Sequence, residues 1–221
     1  MAPIRPYRSD DAATRAAGPG RPKDLAKREA ILEASKKLFV QLGFDSVSMD
    51  QIASAAGVSK LTVYSHFGDK ETLFAAAVES HCANGMPSSL FEDRPETPVR
   101  ERLMEIATAF YAMISSPEAI AGHRILCSPQ LANSHLPQLF WESGPRRVQD
   151  SFATLLAARV AAGELDIPDA ALASSQFFTL LKGEPHARMV FGCGCGDEVN
   201  LEPAAHVAAC VDMFLRAYGR R

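Results

Sequence analysis

The sequence predicts an all-α fold, an N-terminal bundle of three helices followed by a larger helical body, with about nine helices in all. Three observations lead there. Apolar residues recur at three- and four-residue intervals along the chain, and no convincing strand interrupts them. Glycine and proline fall between the periodic segments, at Gly43, Gly57, Pro117, Pro129, Gly163 and Pro203, where helices stop or start. The stretch from Ser48 to Phe67 carries two helix caps around one glycine.

Composition bounds the setting. With 221 residues, 47% of them hydrophobic, the chain can bury one large core, or a small and a larger one. It contains no run of about eighteen apolar residues, and its start lacks the apolar centre of a signal peptide, so a cytoplasmic protein without a membrane span is expected. Five cysteines, an odd number, fit a reducing compartment better than a disulfide scaffold. The net charge of −3 is unevenly spread: residues 1–70 carry eleven basic and eight acidic side chains (+3), the remainder twelve and eighteen (−6). A basic head on an acidic body can orient on a polyanion.

Residues 1–22 mix proline, glycine, alanine and charge without periodicity and read as a disordered basic arm. Leu25, Ile31, Leu32, Leu38, Phe39 and Leu42 then form the stripe of a first helix, which Gly43 stops. Phe44 and Val47 fold the chain back over that stripe. Ser48 with Gln51 makes a capping box and starts a second helix, in which Ile52, Ala53 and Ala56 are apolar. Gly57 ends it in the left-handed conformation, Val58 plugs the corner and Ser59 caps a third helix. There Val63 and Phe67, four apart, are buried, and Lys60, Leu61, Thr62, Tyr64, Ser65 and His66 face outward. The product is a helix-turn-helix with a polar, aromatic second helix.

Gly68 and Asp69 open a fourth helix near 70–82, with Leu73, Phe74, Ala77 and Val78 inward. The turn-rich stretch 83–98 marks a boundary, which divides the chain into an arm (1–22), a three-helix unit (23–69), a linking helix (70–84) and a body (85–221). Helices are expected near 97–115, 117–127, 133–163, 169–190 and 203–218, with a kink or end at Pro185. Leu103, Ile106, Ala107, Phe110 and Ile114 form one core stripe, and Val148, Phe152, Leu155, Leu156, Arg159 and Val160 another.

The run from Ile52 to Val78, and the first helix from Arg28 to Phe44, resemble the N-terminal domain of the TetR/AcrR family of bacterial transcriptional regulators. Many members carry glycine or another small residue where this chain has Leu61. Residues 136–148, 163–169 and 176–186 resemble the C-terminal domain of the AefR-related subgroup. The resemblance implies a sequence-specific DNA-binding regulator, with an effector pocket and a dimer interface in the body. It also implies that Thr62 and Tyr64 touch bases or backbone, that Lys60, His66 and Lys70 grip phosphates, and that Leu61 meets a thymine methyl. Ser48, Ser59 and Ser65 complete the candidate contact set, with Arg21 and Lys23 of the arm reaching the adjacent DNA.

One such module binds weakly, so a homodimer with reading helices about 34–36 Å apart on a palindromic operator is expected. Its surface is assigned to the last two helices, where Leu172, Gln176 and Leu180 step by four and Val207, Val211, Phe214 and Tyr218 by four, three and four. Pocket candidates are Phe110, Met113, His123, Arg124, Cys127, Trp141 and Phe178, suited to a small, largely apolar effector whose binding releases a repressor from DNA. No cofactor and no metal are expected. A Cys127–His123 nucleophile pair lacks an orienting acid, so no enzyme is expected. Cys193 and Cys195, spaced by one glycine, keep open a redox- or metal-responsive alternative, and a DNA-binding factor without an effector is the other.

Overall fold

The computed structural model describes residues 25–128, 134–193 and 202–220. Among them are ten α-helices: α1 (Leu25–Leu42), α2 (Met49–Ala55), α3 (Lys60–Phe67), α4 (Lys70–Gly85), α5 (Val99–Ile114), α6 (Pro117–Leu126), α7 (Leu136–Ser143), α8 (Pro145–Ala161), α9 (Ala170–Phe191) and α10 (Pro203–Tyr218). A single 3-10 turn covers Ser88–Phe91, and the described residues contain no strand beyond one isolated bridge between Leu165 and Gly219.

Two apolar clusters hold the helices. The first lies among α1–α4, where Ile31, Ile52, Val63 and Leu73 are fully buried and the rings of Phe39, Phe44 and Phe74 meet at 5.5–5.6 Å. Leu136 of α7 joins this cluster, so the body reaches onto the head. The second lies among α5, α8, α9 and α10, centred on Phe152, Phe177, Phe178 and Phe214 with centroids 4.8–5.6 Å apart. The two expected stripes on α5 and α8 face into it.

The stretch 86–98 is bound by two buried arginines. Arg102 pairs with Glu105 and donates to the carbonyls of Leu90 and Glu92. Arg159 pairs with Asp93 and Glu164 and donates to the carbonyls of Arg94 and Thr97. A buried guanidinium is costly unless its donors are matched, and these carbonyls and carboxylates match the terminal nitrogens of both, while each Nε is left without a hydrogen bond.

Two expectations change. The helix expected over 133–163 is two, α7 and α8, parted at Gly144 with Pro145 opening α8. A side chain at Gly144 would place Cβ 2.5 Å from the Cys82 Sγ of α4, so the break is where the chain passes hard against α4. The second change is in α10: Val207, Val211 and Phe214, assigned to a dimer surface, are buried in the subunit's own core. Their spacing marks a packed face, but spacing alone does not say which neighbour packs on it. The kink expected at Pro185 is present in α9, centred two residues earlier on Gly183 (φ 46°, ψ −159°), with the helix running on to Phe191. The kink frees backbone acceptors, and α10 answers them: His206 Nε2 lies 2.9 Å from the Leu181 carbonyl, and Cys210 Sγ donates to Leu180 at 3.5 Å.

Candidate nucleic-acid interface and ligand cavity

Helix α3, the expected reading helix, is set by its own ends. Ser59 Oγ accepts from Thr62 N at 3.2 Å, and the Ser48–Gln51 capping box is closed in both directions at 2.7 and 3.2 Å. Val63 and Phe67 turn inward, which leaves Leu61 78% and Tyr64 42% exposed on the outer face.

Charges on this face are partly matched already. Lys60 pairs with Asp50 at 3.0 Å and sits 6.0 Å from the Tyr64 ring centroid. The hydrogen bond that Lys60 donates to Asp50 raises the Lys60 pKa above its ordinary value, with the carboxylate's charge adding to it. Ser65 Oγ donates to the Thr62 carbonyl, and His66 is half-buried beside Phe67. Lys70 departs from its expected role: its ammonium donates to the carbonyls of Phe44 and Val47 at 2.8 and 3.1 Å and lies 4.3 Å from the Phe44 ring centroid. It ties the turn between α1 and α2 instead of standing free for phosphate. Arg28, which sequence spacing did not single out, stacks its guanidinium 5.1 Å from the Phe67 centroid behind the reading helix. Arg21 and Lys23 lie outside the described residues.

A cavity of about 130 Å³ lies between head and body. Phe39 and Val40 of α1 and Phe74 and Val78 of α4 form the head's side of it, and Phe110, Met113, His123, Trp141 and Phe178 form much of the other. The structure thus brings five of the seven candidate pocket residues together. Arg124 is turned away, donating to the carbonyls of Met189 and Val190 at 2.8 Å and so matching the end of α9. Cys127 is an exposed residue at the end of α6. Helix α6 ends there, and neither side chain lines the cavity.

Two parts of this architecture match known domains. Residues 31–77 match the bacterial regulatory proteins of the tetR family, and residues 101–220, more than half of the chain, match the AefR-like transcriptional repressor C-terminal domain. The chain belongs to the TetR family. Its fold is similar to that of a putative TetR-family transcriptional regulator from Mesorhizobium loti MAFF303099, with TM-score 0.75 and 29% identity over 90% of this chain and 100% of that one. It is also similar to the flavonoid-responsive regulator FrrA, with TM-score 0.69 and 30% identity over 90% and 100% of the two chains. The HTH-type transcriptional activator FasR of Mycolicibacterium smegmatis is 33% identical over 105 residues, 48% of this chain and 47% of FasR. The chain spans about half the length of the curated relatives it matches. The matched families and these relatives are transcriptional regulators, not enzymes.

In this TetR-family chain the cavity also holds polar groups that sequence reasoning passed over. Gln149 of α8, and Thr179 and Lys182 of α9, line it. Burial lowers the pKa of Lys182, and burial likewise lowers that of His123, whose Nδ1 is 2.8 Å from the Ala119 carbonyl. His186 is buried 4.8 Å from His123, ring centre to ring centre, and burial, then His123 and Lys182, bring its pKa down to about 4. Only the four-residue steps from Phe178 to Lys182 and on to His186 along α9 could have flagged the lysine and this histidine, and such steps are common on any helix. Cys193 is exposed, with its N–H on the Arg188 carbonyl, and Cys195 lies outside the described residues. No helix among the described residues is long and apolar enough to cross a membrane.

Proposed function

We propose that this protein is a homodimeric transcriptional repressor that holds a palindromic operator and is released from it by a small, largely apolar effector. The observation that carries this reading is the composition of the cavity wall: α1 of the head and the linking helix α4 share one cavity with α5–α9. A ligand seated there touches the helices on which the reading helix rests, so its affinity depends on how the heads are set. Differential affinity for two head positions is all that release requires. The domain division follows the same logic: head 23–69, linking helix 70–84, and a body 85–221 that holds the effector and the partner subunit.

In the complex, Leu61, Thr62 and Tyr64 enter the major groove while Lys60 exchanges Asp50 for phosphate. With Val207, Val211 and Phe214 buried in the subunit, the outward faces of α9 and α10 remain for the dimer, led by Leu172 and Met213, 53% and 51% exposed. Tyr218 and Gln176 hydrogen-bond to each other at the edge of that face. The sign of regulation rests on the AefR-like repressor match, against FasR as an activator. FrrA, a flavonoid-responsive protein matched over its full length, supports control by a small molecule.

Selection of bound duplexes from a random pool, with the winners titrated at two salt concentrations, tests the reading. A palindromic winner with half-sites one helical turn apart is the expected result. Binding that is wholly salt-driven with no enriched sequence overturns it.

A further inference from the structure

The cavity is apolar nearly throughout, yet its wall includes one lysine without a counter-ion. Among the described residues Lys182 makes no hydrogen bond and no ion pair. The other charged groups of the wall are differently placed. Lys36 is paired with Glu33 at 2.7 Å and with Ser80 at 3.2 Å, and Glu118 is exposed on the first turn of α6. Cys82 is the acid nearest in its effect on Lys182, but burial pushes its thiol up to about 11, so it is neutral near pH 7 and balances nothing. His186, with its pKa near 4, is neutral there as well, and its buried Nε2 has no partner.

A desolvated ammonium is unfavourable until an anion meets it. Resting on the effector reading above, we infer that the ligand of this cavity is a small carboxylic acid, its carboxylate on Lys182 and its apolar body between Phe110, Phe178, Met113 and Trp141. A neutral phenol or ester leaves the ammonium unmatched, and an amine places two cations together. Thr179 and Gln149 are further polar residues of the wall. The cavity of about 130 Å³ is roughly ten times the space that one water needs, which suits an acid of about ten non-hydrogen atoms.

The chain carries a reporter of occupancy, since Trp141 is its one tryptophan and lies on the cavity wall. Quenching of its fluorescence is measured with straight-chain acids of six to ten carbons, their methyl esters and the matching amines, all transparent where tryptophan absorbs. The acid is expected to bind roughly 10- to 100-fold more tightly than its ester in the unaltered protein, the range of one charge-assisted hydrogen bond. In Lys182→Met that preference should vanish while ester binding persists, which shows the cavity intact; Lys182→Arg should keep it. Esters or amines equal to or tighter than acids in the unaltered protein overturn the carboxylate assignment and leave the effector cavity standing, whether or not Lys182→Met folds. No response to any member of the three series overturns the cavity as an effector site, and the assignment with it.

Discussion

The reading face of α3 and the cavity wall of α9 each carry a lysine next to aromatic groups, and they handle it in opposite ways. Lys60 is exposed, paired with Asp50 and held above its ordinary pKa by that partner. Lys182 is half-buried, unpaired and lowered by burial. A surface pair in high dielectric is weak and easily exchanged, as an encounter with phosphate requires. A cation in an apolar wall stays unmatched until a ligand supplies the anion. On the function proposed above, the head works through what is left exposed and the body through what is left unfilled.

The largest effect that sharpens this contrast is expected at Gly144, next to Pro145 of the wall, where the approach to α4 leaves no room for a side chain. Gly144→Val drives carbon into Cys82 Sγ and Val78 Cγ1, 2.5 and 3.2 Å from the Cβ position. It should destabilise the protein by about 1–3 kcal/mol, read from urea denaturation, and weaken ligand binding in the same variant. Retention of full stability would mean that the junction of α7 and α8 is looser than its close approach implies.

Next in size is the pH dependence set by His186. Its folded pKa of about 4 lies below the ordinary 6.5, so between these values the unfolded chain binds the proton and the folded chain does not. Stability is therefore fully present above about pH 6.5 and lost as pH falls towards 4, by on the order of 1–3 kcal/mol. His186→Phe should flatten the urea midpoint between pH 7 and 5; an unchanged slope would assign the loss to other groups.

The head should respond the other way, in binding and not in stability. Tyr64→Ala is expected to weaken operator binding about tenfold or more, while its thermal midpoint stays within the range of ordinary surface substitutions. Unaltered operator affinity would displace the reading helix from its assigned role. The smallest expected change is Ser48→Ala, which opens the capping box and should lower stability by about 1 kcal/mol.

How much of this was legible in the sequence differs between the two regions. In the head, Ser48, Gly57, Ser59 and Gly68 punctuate helices whose ends the structure places within a residue or two of expectation. Those signals are local: a cap needs only the next three residues. The outward set Leu61, Thr62, Tyr64 and Ser65 follows from Val63 and Phe67 alone, since one buried stripe on a short helix defines the opposite face. Lys70 escaped the same logic, because its partners are carbonyls 23 and 26 residues earlier in the chain.

In the body the helices were legible and their neighbours were not. Val207, Val211 and Phe214 have the spacing of an interface and the surroundings of a core. Arg124 and Cys127 sit near the cavity in sequence and away from it in space. Lys182, the polar group on which the ligand assignment turns, carried no signal.

By itself the sequence determined the helical class, the places where most helices begin and end, and which face of α3 is left outward. Caps and periodicity act within a turn or two of the chain, so one strand of text contains them. Only the tertiary structure decided which stripes are shared between helices, that Gly144 lets α7 and α8 close on α4, and that a cavity with an unmatched ammonium remains between head and body. A void and an unpaired charge are properties of everything packed around them, from residues as far apart as Phe39 and Lys182, and no local pattern specifies what several distant elements fail to fill.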